Sequence, residues 1–248
     1  MRYAVSIALA AAIATSLGSI AGSAEMKIPA YIQSAVGDQT RPAKDRERDA
    51  ARKPAEAMAF AGIKPGQKIL ELMPSRGYYT RLLCRVVGPS GHIYGDELTE
   101  KEKADAKPAV PAESCANVSA DIQGASDPKF PADLDVVWTS ENYHDLKVDY
   151  WVGGIPDTKK FDAAVFKSLK PGGVFIVEDH VAEAGSGARD VASLHRIDPE
   201  LVKQEVTSAG FVFAGESKIL SNPADDHKGK VFGLKGGSDK FLYKFRKP

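Results

Sequence analysis

Within the seven residues "SENYHDL", Ser140 to Leu146, an amide, a phenol, an imidazole and a carboxylate follow one another at Asn142, Tyr143, His144 and Asp145. An imidazole titrates near 6.5, so small environmental shifts bring it to a working pH. His144 is therefore the candidate general base. Asp145 would orient it or bind a substrate, with Asn142 and Tyr143 as further substrate contacts. The plainer alternative is a loop histidine satisfied by its neighbours. A second gathering follows in "VEDH", with Glu178, Asp179 and His180, and in "SLHRID", with His195 and Arg196. His180, His195 and Arg196 are candidate substrate contacts. Arg189 and Arg196 suit an anionic substrate or pairing with these acids. Carboxylates and imidazoles together could hold a divalent cation, and Asp179, His180 and His195 would then serve a metal-dependent hydrolase. No close-spaced ligand pair such as a helical i, i+4 histidine motif occurs, so no metal is expected. Asp225, Asp226 and His227 lie in a Gly-rich loop and read as solvated.

The elements that must position these groups are legible as an alternation of short apolar runs with helical patterns, which signals a parallel sheet with crossover helices. "KILEL" is the first strand and Thr80 to Val87 its helix, with Leu82, Leu83, Val86 and Val87 on one face. "GHIYGDE" is the second strand, followed by a charged helix from about Thr99 and a Pro-rich loop, Lys107 to Glu113. "NVSADI" is a weak third strand. "LDVVWTS" is the fourth, apolar enough to be buried on both sides. A helix from Asp157 to Leu169 turns through "KPGG" into the fifth, "VFIVEDH". Asp198 and Pro199 open a further helix, and "FVFAGESKIL" and "KFLYKFRKP" form a terminal strand pair. Ahead of the first strand, "DRERDAARKPAEAMAFAG" predicts one helix, with Pro54 in a first turn and Gly62 as its stop. The order implies a doubly wound α/β fold with a mostly parallel, seven-stranded sheet and an antiparallel last strand.

The 248 residues suffice for one domain with a full core. With 33 basic and 33 acidic side chains and no basic stripe, nucleic acid is not an expected partner. Residues 1–24, with one Arg, an uncharged apolar run and small residues at Gly22 and Ala24, read as a signal peptide, so a periplasmic or secreted location is expected. The competing reading is a retained anchor over Tyr3 to Ala21. Residues 25–45 read as a polar N-terminal arm and residues 46–248 as the domain. Cys84 sits on an apolar helix face and reads as a buried thiol, with a bridge to Cys115 as the alternative.

The turn after the first strand, "ELMPSRGYYT", decides what the fold is for. Ligands of doubly wound sheets bind at the carboxyl ends of the strands, and the first turn there is usually rich in glycine. The stretches "RDAARKPAEAMAFAGIKPGQKILELMPSRGYYTRLL", "VVWTSENYHDL", "LKPGGVFIVEDH", "LHRIDPELVKQEVTSAGF" and "DKFLYKFRKP" resemble a family of exported bacterial proteins of the class I, S-adenosylmethionine-dependent methyltransferase type. The likeness runs from about Asp45 to the C-terminus. The family pattern is an acid followed by glycines two, four and six positions later; here Glu71 is followed by Met73, Ser75 and Gly77. The resemblance implies S-adenosylmethionine as cofactor, held by Glu71, Met73, Ser75, Gly77, Tyr78, Glu97, Asp121 and Ser140. Glu97, with Asp96 as its rival, would bind the ribose and Asp121 would face the adenine. Ser75 and Arg76, which depart from the pattern, would meet the cofactor carboxylate or mark lost binding; the bland alternative has Ser75 capping the following helix. The expected activity is methyl transfer to a small acceptor. The alternative is an exported small-ligand-binding protein on a scaffold that has lost the cofactor.

Overall fold

The computed structural model describes residues 27–99, 115–149 and 156–248. The signal segment, the charged helix expected after Thr99 and the Pro-rich loop at Lys107–Glu113 lie outside the described residues. The first described helix is α1 (Ala30–Gly37), followed by the single turns α2 (Ala43–Arg46) and α3 (Asp49–Arg52) and by α4 (Pro54–Ala61). This corrects the expectation of an N-terminal arm. Pro29 precedes α1, and Ile32 and Ala35, three apart, reach the same core cluster as Met58 and Leu82. It also splits the helix expected across Asp45–Gly62. Pro54 disfavours helical geometry at the preceding residue, and Lys53 turns left-handed, at φ 42°. Gly62, at φ 79°, ends α4 as expected.

The strands are β1 (Lys68–Leu72), β2 (His92–Leu98), β3 (Val118–Gln123), β4 (Leu134–Ser140), β5 (Leu169–His180), β6 (Val212–Ser217) and β7 (Lys240–Arg246). They form one sheet in the order β3-β2-β1-β4-β5-β7-β6. β1 through β5 pair in parallel, and β7 runs antiparallel between β5 and β6. Chain order reverses at β1, so β1 and β4 flank the switch point where such sheets bind ligands. "KPGG", expected as a turn, lies within the first residues of β5, beside a register irregularity opposite Leu134 and Val136.

Helices cover both faces because residues alternate along each strand. Leu70, Val137 and Phe175 pack on one side with Phe161 of α6 (Thr158–Ser168) and Val202 of α8 (Pro199–Ser208). Ile69, Val136 and Ile176 pack on the other with α1, α4 and α5 (Tyr78–Val87). All six of these strand side chains are fully buried. Each such burial contributes about 1.5–3 kcal/mol, so the strand ends that carry the site stand on a stiff base. The single turn α7 (Val191–Leu194) sits beyond β5. Cys84 and Cys115 form a disulfide with Cα atoms 6.2 Å apart, which replaces the buried-thiol reading and ties α5 to the approach of β3.

Candidate functional site

The backbone of the first turn does what the sequence disguises. Met73, Ser75 and Gly77 all adopt left-handed geometry, at φ 50°, 51° and 72°. These are the positions where glycine was expected, and two of them carry side chains. Left-handed geometry costs an L-residue roughly 1–2 kcal/mol, so something must hold it. The Ser75 N–H donates to Glu97 Oε1 at 2.8 Å, the Gly77 N–H to the Pro74 carbonyl at 2.8 Å, and Asn142 Nδ2 to the Met73 carbonyl at 3.0 Å. Ser75 does not cap α5. Gly77 occupies that position without a side-chain bond.

This turn opens on a cavity of about 1200 Å³ over the carboxyl ends of β1, β2 and β4. That is ample for a nucleoside-sized ligand together with a small second molecule. Glu71, Glu97 and Ser140 line it from the strand ends, and Arg76 stands exposed at its rim without filling it. The opposite wall is α2 and α3. Asp45 pairs with Arg81 of α5 at 2.6 Å, and Tyr78 donates to Asp49 at 2.7 Å, so the N-terminal helices are strapped to the start of α5. Glu71 is buried against the Thr80 hydroxyl, and burial pushes its carboxyl up to about 7. Burial raises Glu97 as well, opposed by the Ser75 N–H.

At the far side of the cavity lie the groups expected to do chemistry. The side chain of Asp179 at the end of β5 is fully buried, and its two oxygens take the His144 backbone N–H at 2.8 Å and His144 Nδ1 at 2.8 Å. That grip fixes the ring so that Nε2 points away from Asp179, 3.2 Å from Asp145 Oδ1 and 3.3 Å from His195 Nδ1. Burial opposes charge on His144, but Asp179 and Asp145 outweigh it and raise the imidazole to about 9. His144 is therefore a cation at neutral pH and not the proton acceptor expected of a base. Burial pushes Asp145 up to about 6, which leaves it ionised at neutral pH. Burial lowers His180, also in the cavity wall, to about 4, so it is a neutral ring, with Nδ1 2.7 Å from Ser238 Oγ.

No family model and no curated protein matches the sequence. Solved structures do match. An S-adenosylmethionine-dependent methyltransferase from Aquifex aeolicus superposes with a TM-score of 0.57 at 16% identity, covering 85% of this chain and 100% of that one. One from Mesorhizobium loti gives 0.55 at 16% identity over 79% and 98%. The chain has the class I methyltransferase fold. The cyclase SpnF shares that fold with a TM-score of 0.57 at 15% identity over 86% and 85%, so the fold by itself does not name a reaction.

Within this methyltransferase fold, several residues singled out from the sequence lie elsewhere than expected. Tyr143 is fully buried in the core behind the cavity, its hydroxyl 2.9 Å from Asp162 and 3.2 Å from Glu205, so it is not a substrate contact. Arg196 is also fully buried; it makes a two-pronged pair with Asp225 at 2.8 and 3.0 Å and donates to the Val181 and Gly229 carbonyls. Both the substrate role of Arg196 and the solvated reading of Asp225 are thereby corrected. Asp121 is exposed, and its neighbour Ile122 lines the cavity instead. Asp96 faces Gln123 rather than the cavity, which leaves Glu97 as the acid at the end of β2. Met73, Ser75, Tyr78, Ser140, Asn142, His180 and His195 do line the cavity, and Gly77 shapes its turn.

Sequence reasoning missed Arg48, Arg52 and Phe232, which also line it. Arg48 and Arg52 lie over the Tyr78 ring at 5.2 and 4.9 Å, and Arg52 pairs with Glu141 across 89 positions of sequence. Their one local signal is the basic run before α4.

Proposed function

We propose that the protein transfers the methyl group of S-adenosylmethionine to a small acceptor. The observation that supports this best is the left-handed turn at Met73, Ser75 and Gly77. It opens onto the cavity with the Glu97 carboxylate at its edge, a backbone cradle built at a cost where two side chains resist it. Glu97 would accept from the ribose hydroxyls, and Arg76 at the rim would meet the amino-acid carboxylate. When bound, S-adenosylmethionine supplies an activated methyl group, so the chain has chiefly to align the acceptor with it. His144, Asp145 and His195 face that acceptor. Asp145, ionised at neutral pH, takes the acceptor's proton, a role the sequence assigned to His144.

Residues 1–24 we read as a signal peptide that sends the chain to the periplasm or beyond. The Cys84–Cys115 disulfide supports an oxidising compartment.

The test is transfer of a labelled methyl group from S-adenosylmethionine into a panel of small hydroxy, carboxy and amino compounds. The expected result is label in at least one class, with turnover falling about a hundredfold or more in Asp145→Asn while cofactor affinity persists. Capture of a panel compound without label transfer would instead support the binding-protein reading.

A further inference from the structure

His144, Asp145 and His195 meet with the spacing of a metal-ligand set. One ligand atom from each lies within 4.8 Å of the other two. With Nδ1 of His144 committed to Asp179, its Nε2 converges with His195 Nδ1 at 3.3 Å and Asp145 Oδ1 at 3.2 Å. Asp145 Oδ1 is buried and has no hydrogen bond of good geometry. A metal ion would displace the proton on His144 Nε2, and the three atoms would then turn their lone pairs to one small volume. For a tetrahedral ion with metal–nitrogen bonds of about 2.0–2.1 Å, neighbouring ligand atoms stand about 3.3–3.4 Å apart, close to the edges of 3.2 and 3.3 Å here.

We propose that His144, Asp145 and His195 bind a divalent transition metal at the acceptor end of the cavity. Two imidazoles and one carboxylate suit Zn²⁺ and its neighbours rather than Mg²⁺ or Ca²⁺, which prefer all-oxygen shells. Asp179 is the outer carboxylate that holds His144 in the ligating orientation, the usual partner of a metal-bound histidine. His195, held at φ 55° directly after α7, presents Nδ1 from a left-handed position. Three protein ligands leave a fourth position, and all three residues line the cavity, so that position faces the place of the acceptor. The site would therefore favour an acceptor with a hydroxyl or carboxyl oxygen at the open position; a metal there would lower that oxygen's pKa so that its proton leaves to solvent, and Asp145 would serve as ligand in place of base. Metal binding stands on this geometry alone, whereas its part in methyl transfer rests on the function proposed above.

The experiment titrates chelator-treated protein with Zn²⁺ by calorimetry and with Co²⁺ by visible absorption, and titrates the same samples with S-adenosylmethionine. One equivalent should bind, with the intense visible band of tetrahedral cobalt. His195→Asn keeps a residue tolerant of left-handed backbone and should weaken binding at least tenfold. Asp179→Asn should weaken it ten- to a hundredfold. His92→Ala, at the opposite end of β2, should leave it unchanged. Failure to bind one equivalent below millimolar metal, or binding insensitive to both His195→Asn and Asp145→Asn, overturns the site. Cofactor heat without metal binding overturns the site alone. Metal binding without cofactor heat upholds the site and overturns its role in methyl transfer.

Discussion

Ser75 gives the sharpest test of the idea that this turn keeps a glycine-type backbone while carrying side chains. Its φ is 51°, and it is exposed. No hydrogen bond to its hydroxyl exists among the described residues, whereas its backbone N–H is held by Glu97 at 2.8 Å. Replacing Ser75 by Gly leaves that N–H in place and removes a left-handed penalty of roughly 1–2 kcal/mol. Against this stands the extra freedom that Gly has in the unfolded chain, worth about 0.5–1 kcal/mol. The net expectation is a gain of about 0.5–1 kcal/mol for Ser75→Gly. Ser75→Val, with a branched Cβ at the same φ, should lose more than about 1 kcal/mol. Urea unfolding measures both through the midpoint at constant slope. If Ser75→Gly lowers stability as it would at an ordinary exposed loop position, or Ser75→Val is neutral, the strain argument is wrong.

Arg196→Ala should cost about 3–5 kcal/mol, read by thermal unfolding, because Asp225 is then buried without its partner; Arg196→Lys should recover little of it, lacking the two-pronged fork. Burial pushes Asp162 up to about 8 from 3.8. The folded chain then holds one more proton than the unfolded chain between those values, so this stabilisation is full below about pH 4 and is lost as pH rises towards 8. Asp162→Asn keeps an acceptor for Tyr143 and should flatten that fall in denaturant midpoint over pH 4–8; an unchanged slope would contradict the assignment. Loss of the disulfide in C84A/C115A opens a loop with a sequence separation of 31 and should cost about 3–4 kcal/mol in urea unfolding, whereas an unchanged midpoint would show that the bridge does not form.

The sheet was legible because "KILEL" and "LDVVWTS" are short, bounded apolar runs, and the apolar stripes of α6 and α8 recur at helical spacing. α1 was not: "AYIQSAVG" offers only two buried residues, and its partners in α4 and α5 are remote in sequence. Within the site, types were readable but directions were not. A one-residue change of phase in a strand moves a side chain to the other face, which is how Ile122 takes the place assigned to Asp121. The 3₁₀ turn Tyr143–Lys147 likewise sends Tyr143 into the core and His144 to the cavity. Arg196 was misread because a buried arginine and a substrate-binding one look alike until the acid is located. Asp225 lies 29 residues away in a stretch whose composition suggests solvent. The charge of His144 depends on Asp179, 35 residues distant, so its local sequence gave only the unperturbed value.

The proposed function requires that the turn at Met73, Ser75 and Gly77 still admit an adenosyl group beside Glu97. Calorimetric titration of the purified protein with S-adenosylmethionine tests it most directly. One equivalent should bind in the micromolar range, weakened tenfold or more in Glu97→Gln, where one carboxylate oxygen is lost to the ribose hydroxyls. Absence of heat at millimolar ligand, or affinity indifferent to Glu97→Gln, would contradict it.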